Sequence, residues 1–415
     1  MRAAGLAVAA ALAAHPAGAD VRVIGDDDHE LRLGAYASQF SLFSHIGYEA
    51  GGFVPQDLAN NAALLRLEWS ARLGQRWTLV LHNRFFWLLS NQTSAEGSGV
   101  GLGSSIPPRR SLDLESSVID ADGASLRHDI DRLALTYQSP LGDVTLGRQA
   151  ISWGTASVFT VNDIWSRFGP FELDTSQKRG VDALRVLSYP IEGGELDIVV
   201  VDRGGLDDGE ARDLSGGARL AWSQGVMDHY VGLAKNYRRL LLLGGSTVDF
   251  DVFTARLEAQ LRIAFSPSRV EPLLTAGIDY QGPKTSAALE YHFSSPGITD
   301  RASYARELVF APDPELLRGD RYFAGEHYLA ATGTYNPWVD LQLGGAIITN
   351  LLDPSAIFVP SITYALSQNV SAALGAYIGA GNEPNLVLGS EPTLKIDSEF
   401  GMVGTTGYFQ ISGYM

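Results

Sequence analysis

The chain has 415 residues, 45 of them Gly and 18 Pro, with no Cys and a formal charge of −16. At 45% hydrophobic and 19% charged it is too apolar for a disordered segment, and without Cys it holds neither a disulfide nor a thiolate metal site. The acid excess argues against a nucleic-acid partner, which wants a basic face.

Residues 1–19 read as a cleaved export signal. Arg2 supplies the positive start, Ala3 to Ala14 the apolar run, and Ala17-Gly18-Ala19 the small-residue cleavage site. A run this short does not cross a bilayer, which takes about 20 residues. Cleavage removes one Arg and takes the charge from −16 to −17. Segment 20–29, with Asp26, Asp27 and Asp28, reads as a short solvated periplasmic tail. No later apolar run reaches the length of a membrane helix; the longest, Leu240 to Leu243, ends in Gly244 and Gly245. An exported chain that enters a membrane without helices has to be a closed barrel, because only closure satisfies every backbone group in lipid.

From residue 30 onward the period is two. Across 63–73, Ala63, Leu65, Leu67, Trp69, Ala71 and Leu73 share one face, and Leu64, Arg66, Glu68, Ser70 and Arg72 the other. A strand sorts charges in this way; a helix scatters them. The pattern returns in 251–263, 287–293, 339–350 and 370–378. A soluble sandwich also alternates, but its strands average only ~5–6 residues and these segments run to about ten. Aromatics recur near segment ends (Trp77, Trp87, Tyr137, Tyr189, Trp222, Tyr280, Tyr335), as interfacial girdles require. Short turns at 74–76, 140–143, 192–194, 281–284, 336–337 and 367–369 alternate with long connections at 91–125, 154–180, 294–320 and 382–399. The expected fold is all-β: a transmembrane antiparallel up-and-down β-barrel over 30–415, of about 18 strands or else 16, since bacterial single-chain barrels take even numbers. Segment 240–248 is ambiguous between strand and loop. A barrel of 16–18 strands leaves an aqueous channel, whereas about eight would fill with side chains.

These features resemble those of bacterial outer-membrane porin-like barrels. Residues 146–154, Leu-Gly-Arg-Gln-Ala-Ile-Ser-Trp-Gly, run into a loop with Asp163, Trp165, Phe168, Phe171 and Glu172. That stretch is similar to one in uncharacterised proteobacterial porin-like barrels. At the C-terminus, Phe409, Ile411 and Met415 alternate with Tyr408, Gln410 and Tyr414, much like the terminal strand read by the barrel-assembly machinery. The family usually ends in Phe, and Met415 departs from that. The resemblance implies a passive outer-membrane channel for small hydrophilic solutes, without catalysis or cofactor. It also implies contact with outer-membrane lipid and lipopolysaccharide, and leaves a homo-oligomer open, since general porins are often trimers.

In a wide barrel the polar stripes line water. In chain order they carry Arg32, Arg66, Arg72, Arg84, Arg132, Arg148 and Arg219, then Arg256, Glu258 and Arg262, then Asp279, Glu290, Glu326 and Asp340. A basic wall from the first half would face an acidic patch from the second. The transverse field would favour polar solutes, and guanidinium suits anionic or hydroxyl-rich ones. The alternative is that pairs such as Arg66 with Glu68, or Arg256 with Glu258, simply stiffen the wall. Loop 154–180 follows the fifth strand. Folded inward, as in general diffusion porins, it would line a constriction with Asp163, Arg167, Glu172, Asp174, Lys178 and Arg179; otherwise it is a surface loop packed on its own aromatics. The eight His show no metal-ligand spacing, and no G-x-S-x-G or P-loop pattern occurs. A rival reading is a sleeve or export conduit for a polysaccharide or an electron-carrying protein.

Overall fold

The computed structural model describes residues 21–26, 28–49, 56–91, 108–169, 172, 174–204, 214–265, 268–311, 313–317, 319–387 and 393–415. The export signal expected at 1–19 lies outside the described residues. In chain order the strands are β1 (Val21–Gly25), β2 (His29–Ile46), β3 (Gln56–Leu73), β4 (Trp77–Ser90), β5 (Glu115–Ala121), β6 (Ala124–Ser139), β7 (Gly142–Gln149), β8 (Val181–Ser188), β9 (Gly194–Asp202), β10 (Leu214–Gln224) and β11 (Met227–Asn236). They continue as β12 (Arg239–Phe250), β13 (Phe253–Phe265), β14 (Ser268–Gln281), β15 (Thr285–Ser294), β16 (His327–Trp338), β17 (Leu341–Asn350), β18 (Ser355–Ala365), β19 (Val370–Ala380), β20 (Asn385–Val387), β21 (Thr393–Lys395) and β22 (Thr405–Tyr414). All but β1, β5, β20 and β21 form the wall, an antiparallel up-and-down barrel of 18 strands. It closes where β22 pairs with β2, Tyr414 opposite Tyr36.

The period of two decides which side chains meet lipid. On β3, Leu65, Trp69 and Leu73 point out and are exposed, while Leu58, Leu64 and Arg66 point in and are buried. On β13, Leu257 and Phe265 are exposed, whereas Glu258 and Gln260 are buried. Aromatic rings pair across strands at the short-turn end, Trp77 with Tyr137 at 4.7 Å and Phe253 with Tyr280 at 5.3 Å. Tight turns such as 74–76, 140–141 and 366–369 occupy that end, and connections 91–123, 150–180, 295–326 and 381–404 the other.

Four local features depart from the expectations. Residues Val21–Gly25 pair with β2, and Asp26 accepts N–H bonds from Asp28 and His29 at 2.9 and 2.6 Å, so Asp26 and Asp28 sit in a hairpin turn instead of a free tail. Asn336 and Pro337 lie within β16 at an irregularity between Tyr335 and Trp338, and the turn falls at 339–340. The ambiguous segment 240–248 is strand β12. Leu242 faces lipid there, but Leu241 and Leu243 face in and are buried against a loop, so both faces are apolar and the alternation is lost. Finally, Asp131 is an extra residue in β6: Arg132 pairs with His82 and Ile130 with Asn83. This bulge turns both Asp131 and Arg132 inward. The neighbouring β7 and β8 have only eight residues each. β5 pairs with the upper half of β6, and Arg110 to Leu114 close the notch that the short strands leave.

Candidate functional site: the lumen and its infolded loops

Loop 150–180 leaves the top of β7 and enters the barrel. Its Ile151, Trp153 and Trp165 pack on Val181, Val199, Val201, Leu241 and Leu243 of the inner wall. Trp153 Nε1 donates to Asp197 and Trp165 Nε1 to Ser215 Oγ, at 2.8 and 2.9 Å, so neither indole is buried without a partner. The loop then meets two carboxylates of the wall beyond. Glu258 accepts backbone N–H bonds from Thr155, from Ala156 at 2.7 Å and from Asn162 at 3.2 Å. Glu290 accepts them from Ser157 at 2.8 Å, Val158 at 3.1 Å and Phe159. Phe159 stacks on His292 with ring centroids 4.9 Å apart. The loop therefore lies across the lumen.

Two further loops pack onto it. From loop 295–326, Tyr322 offers its ring to the Arg167 guanidinium at 4.7 Å, and its hydroxyl bonds Thr160 Oγ1 at 2.6 Å. Arg167 also donates to the carbonyls of Gly319 and Asp320. From loop 381–404, Phe400 meets Phe323 edge-on at 5.3 Å, and the Glu399 carboxylate accepts from Ala324 N at 2.7 Å and Asn350 Nδ2 at 3.0 Å. Beneath the loops a cavity of about 1410 Å³ remains, lined by Thr155 to Val158, Phe168, Glu172 and Lys178, by Arg219 and Arg256 of the wall, by Tyr377 and by the Tyr189 to Glu195 turn.

The expected pore-lining residues divide by partner. Arg66 is 2% exposed and pairs with Asp131 at 3.2 Å, not with Glu68. Arg132 shares Asp131, Arg110 joins Asp129 and Asp131, and Arg148 pairs with Asp182 at 2.8 Å. One buried network thus takes up three of the expected lining arginines. Its carboxylates, Asp129, Asp131 and Asp182, went unread in the sequence because their partners are set by cross-strand register and by the bulge. Arg32 and Arg72 gather around Glu30 at the turn end and are exposed. Arg219 pairs with Glu195 and lies 4.5 Å over the Tyr230 ring, and Arg256 pairs with Asp279, not Glu258. Arg262 reaches Glu315 of loop 295–326 at 3.3 Å. Glu258 and Glu290 are 0% and 1% exposed and hold the loop. Glu326 precedes β16 beside His327, and Asp340 is exposed in the turn before β17. Among the described residues, Arg66, Arg132 and Arg148 pair with aspartates of their own side of the wall, and Glu258 and Glu290 are covered by the loop. Arg84 stands apart. It faces in opposite Arg66, lies 5.1 Å over the Phe86 ring and makes no ion pair among the described residues.

Within the loop, Asp163 is a brace. It accepts from the N–H groups of Trp153 and Gly154 at 2.8 Å and pairs with Lys178. Asp174 meets the Tyr36 hydroxyl at 3.4 Å. Glu172 and Lys178 face the cavity. Burial pushes the Glu172 carboxyl up to about 7, against the pull of Arg179. It is therefore neutral below that pH and adds a negative charge to the cavity above it. Anion selectivity, read from reversal potentials in a salt gradient, should be higher below pH 7 than above it, and Glu172→Gln should flatten the difference.

A closed barrel of 18 strands, with tight turns at one end and long infolded loops at the other, has the fold of the outer-membrane porin-type channels. Among the described residues no helix is long and apolar enough to cross a membrane. Among solved structures, the chain is similar to Pseudomonas aeruginosa OpdQ (10% identity, 93% of this chain and 97% of that one, TM-score 0.55). It is also similar to Pseudomonas aeruginosa OccK9, or OpdG (12% identity, 94% and 98%, TM-score 0.54), and to Pseudomonas aeruginosa OpdK with vanillate (8% identity, 92% and 98%, TM-score 0.51). No family model and no curated protein sequence matches. At these identities the likeness is one of fold.

Proposed function

We propose that the chain is exported by segment 1–19, assembled into the bacterial outer membrane through its terminal strand, and there passes small hydrophilic solutes passively, anions in preference. The observation that carries this reading is the cavity of about 1410 Å³ under an infolded loop, in a barrel whose wall presents Arg84 opposite Arg66. Arg66 is held by Asp131, whereas Arg84 makes no ion pair among the described residues and leaves its guanidinium donors for a carboxylate. The structure of OpdK with vanillate supports a small organic anion as the class to try first. A sleeve around a threaded partner fits less well, because loops 150–180, 295–326 and 381–404 meet inside the lumen.

Purified protein in planar bilayers should show stepwise conductance; silent bilayers with correctly folded protein count against the channel. Arg84→Glu should move the reversal potential toward cations. An unchanged potential would place Arg84 off the conduction path.

A further inference from the structure

Loops 295–326 and 381–404 share a small core of their own. Ile298, Tyr304 and Ala324 of the first pack with Leu394 and Ile396 of the second, and Leu316 lies against them. Pulling the two apart would bare that core, so they move together at lower cost than separately. The pair rests on loop 150–180. Tyr322 and Phe323 meet the Phe159 ring edge-on, with centroids 5.8 and 6.2 Å away, and Phe159 is 0% exposed. Tyr322 also lines the cavity.

The two ends of this body are held differently. At the root, Glu399 accepts from the Tyr328 hydroxyl of β16 and from Asn350 Nδ2 of β17, and Phe323 and Phe400 join the apolar core of the inner wall. At the tip, Leu316 turns to the shared core and the carboxylate beside it turns to the wall. Glu315 pairs with Arg239 of β12, and with Arg262 of β13 at 3.3 Å. Arg262 Nη2 also donates to the Asp320 carbonyl at 2.9 Å. Asp313 is used within the loop, where it pairs with Arg321 at 2.7 Å. Both wall arginines have a second partner: Arg239 reaches Glu271 at 3.3 Å, and Arg262 Nε donates to Gln260 Oε1 at 2.5 Å. Letting go of Glu315 therefore strands no buried guanidinium, which is what makes breaking an ordinary buried ion pair so costly. A contact of this kind can open and close again.

We infer that loops 295–326 and 381–404 form a lid, rooted at β16 and β17 and latched at its tip by Glu315 on Arg239 and Arg262, and that release of the latch lifts Tyr322 and Phe323 off Phe159 and opens the cavity toward the long-loop end. The inference rests on the channel reading above and adds the place where the channel opens. Apolar packing keeps the lid in one piece, and charge fastens it to the wall.

The chain has no Cys, so a single introduced thiol reports on its own surroundings. In folded full-length protein in detergent, Phe159→Cys places that thiol under the lid, and Ala324→Cys places it inside the lid's own core, where Ala324 is 0% exposed. Adding Glu315→Ala should speed maleimide labelling of Phe159→Cys about tenfold, as the loss of a hydrogen bond to a charged group allows. Labelling of Ala324→Cys should keep its rate, because the lid lifts whole. Glu326→Ala, which removes a carboxylate at the root of the same loop, should change neither rate. Heat-modifiable gel migration checks folding. The inference is overturned if Glu315→Ala leaves the Phe159→Cys rate unchanged, if Ala324→Cys speeds up equally and the loops thus unfold instead of lifting, or if Glu326→Ala acts as strongly. Labelling needs no conduction, so silent bilayers would count against the channel reading while the thiol rates still decide the lid.

Discussion

The double variant Glu258→Ala, Glu290→Ala should conduct more current per opening than the native chain. These two carboxylates accept the backbone N–H groups of Thr155, Ala156, Asn162, Ser157, Val158 and Phe159, and so hold loop 150–180 across the lumen. Hydrogen bonds to a charged group contribute about 1.5–3 kcal/mol each, so losing both acceptors removes more than the loop's remaining polar contacts can offset. The unpaired N–H groups would then seek water, which a loop can do only by leaving the wall. We expect conductance to rise about twofold or more, since the loop is the narrowing element. Glu290→Gln should lie between, because its amide keeps one acceptor oxygen but turns a donor toward other donors. Single-channel recording decides the matter. An unchanged conductance in the folded double variant would mean that the hydrophobic seat of Ile151, Trp153 and Trp165 holds the loop without the carboxylates.

Asp131→Ala should be the most destabilising single change in the wall. Asp131 is fully buried and serves Arg66, Arg132 and Arg110 at once, at 3.2, 3.2 and 3.0 Å. Removing one partner of a buried ion pair costs about 3–5 kcal/mol, because the charge left behind has lost its solvation as well as its counter-ion. Arg66 has least to fall back on, since Nε and Nη1 already lack partners. The measurement is urea unfolding in lipid followed by tryptophan emission. Arg66→Met added to Asp131→Ala should recover only part of the loss, because Arg132 still lacks its carboxylate and Arg110 keeps only Asp129. A midpoint shift no larger than that of a surface substitution would show that the network is hydrated and contributes little to stability.

The two predictions concern the two ways in which charge is used inside this barrel. In one, carboxylates of the wall hold loop backbone; in the other, a bulged strand supplies an aspartate that lets several guanidinium groups sit side by side. Neither faces open water, and both narrow the set of side chains free to act on a solute. Glu172 and Lys178 line the cavity, and Arg84 makes no ion pair among the described residues, so selectivity should respond to changes at Arg84 and Glu172.

The amino-acid order alone determined which face of each regular strand meets lipid, because side-chain direction alternates with every residue whatever the strand packs against. Leu65 and Trp69 outside with Arg66 inside on β3, or Leu257 outside with Glu258 inside on β13, follow from that parity. It also determined closure, since lipid tolerates no open sheet edge. Only the tertiary structure decided what the inward side chains do. Arg66 lies two residues from Glu68 yet pairs with Asp131 on another strand, through a bulge that leaves no periodic trace. Glu258 and Glu290 look like lumen acids until an aperiodic loop brings its N–H groups to them, and the Leu240 to Leu243 run loses its alternation because that same loop replaces water on its inner side. Direction along a strand is a local property; the choice of partner across a lumen depends on register, on loop path and on which groups reach each other first in the folded barrel.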